Sequence, residues 1–99
     1  MRRFNVYPNP SGSGYLVNVQ ADFLHPFNTR IVIPLLPLAE APKPAKTLNP
    51  LFNIEGVEHS MVTQYLAAVP VKDLKVAIFN VQNRHDDIVA AIDFLFHGF

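Results

Sequence analysis

Apolar and polar residues alternate at several places along this chain, and that alternation predicts short β-strands. Residues 4–7 read Phe4, Asn5, Val6, Tyr7, and residues 15–20 place Tyr15, Val17 and Val19 on one face. The intervening residues 8–14 hold only proline, asparagine, serine and glycine, so the pair reads as a hairpin with a long tip. Residues 23–28 are apolar without a period and are expected to form an irregular connection. Residues 30–38 are the most apolar strand candidate; Pro34 within them cannot donate to a ladder, which predicts an edge, a bulge or a strand end there. Residues 39–50 carry Pro42, Pro44, Pro50 and two lysines and read as a loop. Residues 51–54 and 60–65 flank a turn at 55–58, a second hairpin, and 68–71 and 74–78 are further short strands. Short strands at such close spacing suggest a sandwich or a small barrel.

The pattern turns helical from Asp86 onward. Ile88, Ala91, Ile92 and Leu95 fall at i, i+3, i+4 and i+7, with Val89 and Phe96 widening the stripe. Asn83 is placed to cap this helix, with Asp86 in the capping-box position; Asp86 and Asp87 suit the positive end of the helix dipole and His97 the negative end. Asp86, Ala90, Asp93 and His97 occupy the opposite face, Phe94 beside them. Gly98 favours the left-handed helix-ending conformation and turns Phe99 away from the axis. An end reading Phe94, Leu95, Phe96, His97, Gly98, Phe99 needs a cover: the protein's own core, a second subunit or another molecule.

Ninety-nine residues predict a single domain, 1–99, able to bury one core without staples. The sequence has no cysteine, which excludes disulfides and thiolate metal sites and fits a cytoplasmic protein. No signal peptide and no membrane span are expected from the apolar runs. Hydrophobic residues make up 49% and charged residues 16%, below the roughly 25% charged of ordinary domains, so some surface is expected to be hidden by association. The formal net charge of zero disfavours autonomous nucleic-acid binding.

Candidate chemistry is sparse. His25 and His59 read as surface residues, and His85, Asp86 and Asp87 at a helix start do not converge on a metal. The Gly12-Ser13-Gly14 stretch leads into a strand, so it is no phosphate loop. Asp93 and His97, at i and i+4, form either an acid–base pair, a solvated helix pair, or part of a binding surface with Phe96 and Phe99.

Across nearly its whole length the chain resembles the CcdB-type toxins. The pieces are Phe4-x-Val6-Tyr7, Val17-x-Val19-Gln20-x-Asp22, Arg30-x-Val32-Ile33-Pro34-Leu35, Met61-x-Thr63, Ala68-Val69-Pro70-Val71, Ile88-x-x-Ala91-Ile92-x-Phe94-Leu95 and the penultimate Gly98. The resemblance implies a mainly β fold with one C-terminal α-helix, a small bent β-barrel of the SH3-like kind shared with MazF-type toxins, paired as a homodimer. It implies no enzyme, no cofactor and no metal. The implied activity is that of a bacterial cytoplasmic toxin of a plasmid or chromosomal toxin–antitoxin pair, binding the GyrA subunit of DNA gyrase and trapping it on cleaved DNA. A CcdA-type antitoxin neutralises such a toxin, and operator DNA is met only together with the antitoxin. Carried over by position, the gyrase-binding residues are Phe23, Leu24, Asp93, Phe96, His97, Gly98 and Phe99. The chain departs from the family pattern in having no tryptophan: His97 stands at the usual Trp place, Phe99 at the final aliphatic one, and Asp93 where asparagine is familiar. Two alternatives stand beside this reading. One is a MazF-like endoribonuclease, for which Arg30, Thr63 and Arg84 are the candidates; the other is a non-toxic relative that binds only antitoxin. The 8–14 and 39–47 loops are the expected antitoxin-binding segments.

Overall fold

The computed structural model describes residues 2–24 and 26–98. His25 and Phe99, both singled out by the sequence, lie outside the described residues.

Strand β1 (Asn5–Pro8) and β2 (Tyr15–Asn18) form the first hairpin, with Val6 opposite Val17. Its long tip returns through Gly14, whose φ is +86°. A side chain is barred there, because a Cβ would sit 2.3 Å from the Leu35 carbonyl oxygen. Val17 and Val19 enter the core as their alternation predicts, and Tyr15 packs against it.

Strand β3 (Thr29–Pro37) is the spine. One edge pairs with β2, from Tyr15 opposite Leu35 to Asn18 opposite Val32. The other edge is shared: β5 (Val57–Met61) pairs with Leu35 to Pro37, and β6 (Ala67–Pro70) with Thr29 to Val32. Pro34 falls in the gap where the partner changes, and its carbonyl accepts a hydrogen bond from the Val62 N–H at 2.9 Å. A residue without an N–H is therefore tolerated in the middle of a central strand, where an edge, bulge or end was expected. Two partners on one edge also split the sheet and bend it. Strand β4 (Leu51–Ile54) pairs with β5 on one side, and β7 (Phe79–Asn80) pairs with β1 on the other. The order β4-β5-β3-β2-β1-β7, with β6 off β3, curls into a half-closed barrel, the mainly β architecture with one terminal helix that the sequence predicts.

Several boundaries differ from expectation for local reasons. The second hairpin turns on two residues, Glu55 and Gly56, both left-handed at φ 53° and 81°, as a mirror-image turn requires. The returning strand therefore begins at Val57, and residues 63–65 coil into a 3-10 turn in which the Thr63 hydroxyl donates to the Leu48 carbonyl at 2.6 Å. Residues 74–78, expected as a strand, form none. Leu74 is buried with Tyr7, Leu16 and Val32, while Val76 is exposed, so one anchor and not a ladder explains the apolar run. Ladder pairing with β1 begins only at Phe79. Leu38 leaves the sheet and starts a 3-10 turn, Leu38–Glu40; the irregular 23–28 connection includes another, Asp22–Leu24.

The helix α1 spans His85–His97. Asn83 does not cap it: a 3-10 turn, Gln82–Arg84, runs directly into it and no side chain caps its start. The first turn is held instead by Arg84, whose Nε donates to Asp87 at 2.9 Å while its guanidinium lies 4.2 Å over the Phe52 ring. Ile88 and Ala91 are fully buried against Val6, Val17, Ile33, Leu35, Phe52 and Met61, and Ile92 packs at the margin. The helix stops at Gly98, φ +79°, whose N–H reaches the Phe94 carbonyl at 2.9 Å. No helix of the described residues is long and apolar enough to cross a membrane.

Candidate partner-binding surface

The core stripe of α1 leaves Val89, Asp93, Phe96 and His97 beside it, since these positions follow Ile92 around the helix. Phe96 was expected to widen the buried stripe. It does not: it is 63% exposed and lines a surface groove together with Leu66 and Ile92. Asp93, His97 and Gly98 are exposed on the same end. Ion pairs among the described residues join Arg84 with Asp87 and His85 with Asp86, at the other end of the helix.

The 22–24 turn meets this helix end at a shared groove. Its anchor is Gln20, whose side-chain amide donates to the Leu24 carbonyl at 3.3 Å and accepts from the Ile31 N–H at 3.1 Å. Asp22 accepts the Arg3 backbone N–H at 2.6 Å. Phe23 is left 80% exposed, and Leu24 lines a groove of about 390 Å³ that Phe96 also lines. Val19, Ile31, Leu66 and Ile92 floor that groove, with Arg3 at one side. Leu24 and Phe96, 72 positions apart by their numbers, thus line one apolar groove, and Phe23, Asp93, His97 and Gly98 are exposed on the two elements that form it. Phe99 lies outside the described residues.

Two contributors escaped the sequence reading. Phe27, 61% exposed, continues the apolar turn through its N–H bond to the Leu24 carbonyl. Its signal was an aromatic in a segment without period, which no strand or helix could absorb. Arg3 joins from the far end of the chain, and no local pattern announces it.

The endoribonuclease candidates serve the fold. Arg30 is buried and its guanidinium donates to the Phe27 and Thr29 carbonyls. Thr63 is buried on its Leu48 bond, and Arg84 is held by Asp87 and Phe52. His59, expected at the surface, is buried instead: it faces inward from β5, its Nδ1 at 2.8 Å from the Val57 carbonyl and its ring 5.4 Å from that of Tyr15. Among the described residues no group of His, Asp or Glu side chains is placed to hold a metal ion. On another face, the two loops expected to meet an antitoxin are joined, the Ser13 hydroxyl donating to the Glu40 carboxylate.

A family model described as CcdB protein matches residues 3–98 of the 99-residue chain.

Proposed function

The chain belongs to the CcdB family, the toxins of toxin–antitoxin systems, and from that premise we propose that it acts by binding the GyrA subunit of DNA gyrase through the α1 end and the 22–24 turn. The observation that carries the reading is Phe96: a large aromatic left mostly in water, lining an apolar groove together with Leu24. Aromatic anchors of this kind dominate protein interfaces. A ring on a helix end loses little entropy on docking, and Gly98 beside it has open space on its α-carbon, so a partner backbone can approach closely.

Poisoning in this reading is a binding event and not catalysis by the toxin. A homodimer presents two copies of Phe96, His97, Gly98 and Phe99 about a two-fold axis, matching the symmetry of a dimeric topoisomerase. Bound across the gate, the toxin holds gyrase in its DNA-cleaved state. His97 stands where the family usually has a broad indole, and Phe23 and Phe27 offer exposed aromatic surface on the same chain. Neutralisation is assigned to a CcdA-type antitoxin docking on the joined 8–14 and 39–47 loops. The site of action is the bacterial cytoplasm, where gyrase works.

The test is removal of residues 97–99. The truncated chain is expected to keep its circular dichroism and unfolding transition and to lose growth arrest when expressed. Arrest that persists in the truncated chain places the toxic surface elsewhere.

A further inference from the structure

Arg3 is the one charged residue among the described residues that line the groove between Leu24 and Phe96. Its guanidinium is held in place twice: Nε donates to the Val19 carbonyl at 2.9 Å, and the planar group lies 4.6 Å over the Phe4 ring. Those contacts engage Nε and one face, and leave the two terminal nitrogens as an open fork. Asp22 accepts the Arg3 backbone N–H, and no ion pair joins it to the guanidinium. Arg2, its neighbour, is by contrast engaged at Nη2, which donates to Gln82. Arg3 is therefore a fixed cation without a carboxylate partner among the described residues, set beside apolar walls on a molecule of zero formal net charge.

A planar guanidinium with its fork open matches a carboxylate bidentately. Apolar surroundings strengthen such a pair once water is excluded, and a side chain already held by two contacts loses little freedom on binding. Resting on the gyrase reading above, the geometry points to Arg3 as a specificity-determining residue of that surface. It pairs with an Asp or Glu side chain of the gyrase subunit, while an apolar neighbour of that acid enters the groove between Leu24 and Phe96. The groove then selects a segment carrying an acidic and an apolar side chain together, and rejects one presenting a basic residue at that point.

The test uses the full chain and purified GyrA subunit, titrated by calorimetry at low and high sodium chloride. The parent chain, Arg3→Gln, Arg3→Lys and Phe96→Ala are compared, each with its melting temperature. Arg3→Gln is expected to weaken binding by roughly 30-fold at low salt and to flatten the salt dependence. Arg3→Lys is expected to restore the salt dependence and only part of the affinity, since it keeps the charge and loses the fork. Arg3→Gln binding like the parent, with Phe96→Ala impaired, overturns the carboxylate pairing and leaves the gyrase surface standing. Equal losses in the Gln and Lys variants, accompanied by a shared fall in melting temperature, reveal a structural role through Phe4 and overturn it as well. A parent chain that does not bind GyrA overturns both readings.

Discussion

Truncating Phe96 to alanine separates the cost of folding from the cost of binding. Phe96 is 63% exposed. A phenylalanine buries about 200 Å² when fully covered, so docking has roughly 125 Å² of this ring still to remove from water. At about 25 cal/mol per Å² that is ~3 kcal/mol, or roughly a 100-fold change in Kd for each copy engaged. The part of the ring already covered by the groove is smaller, and its loss costs folding about 1–2 kcal/mol by the same arithmetic. Phe96→Ala is therefore expected to bind GyrA about 100-fold more weakly while unfolding in urea at a slightly lower midpoint with an unchanged slope. Titration calorimetry and urea denaturation on the same preparation read both quantities. Binding within threefold of the parent, with folding intact, would refute the assignment of this ring as an anchor.

Four further substitutions probe the scaffold. Gly14→Ala combines a left-handed backbone with a 2.3 Å clash against the Leu35 carbonyl and is expected to cost more than about 2 kcal/mol, whereas Gly98→Ala, left-handed but in open space, costs only about 1 kcal/mol; urea midpoints of the two give the ranking. Ile88→Ala empties a fully buried site between helix and sheet and is expected to lose about 2–5 kcal/mol, enough to broaden or abolish the cooperative thermal transition. Ser60 buries a hydroxyl that lacks a hydrogen-bond partner, so Ser60→Ala is expected to be neutral or to gain about 1 kcal/mol; a clear drop in melting temperature would show that the hydroxyl is satisfied by water.

The curled sheet and its helix were legible because their signals are periodic. Alternation placed Val17 and Val19 in the core, and the helical stripe identified Ile88 and Ala91 as its buried face. Failures occurred where a tertiary partner overruled local pattern. Pro34 sits in mid-strand because β3 changes neighbours at that point, which no window around Pro34 can reveal. His59 is inside because a two-residue turn sets the register of β5. Asn83 looked like a cap, yet the 3-10 turn and Arg84 took over the helix start. The surface was half visible. The α1 end announced itself as an apolar end in need of a cover, and the family resemblance supplied Phe23 and Leu24. The groove that brings Leu24 to Phe96, and Arg3 beside them, depends on contacts between distant parts of the chain that carry no periodicity.

Holding gyrase on broken DNA leaves a direct biochemical trace. Purified gyrase is incubated with supercoiled plasmid, ATP and the full chain, then denatured with detergent and protease. Linear DNA is expected to increase with toxin and to disappear with Phe96→Ala. Gyrase that continues to supercoil without accumulating breaks, at toxin concentrations that arrest growth, would contradict it.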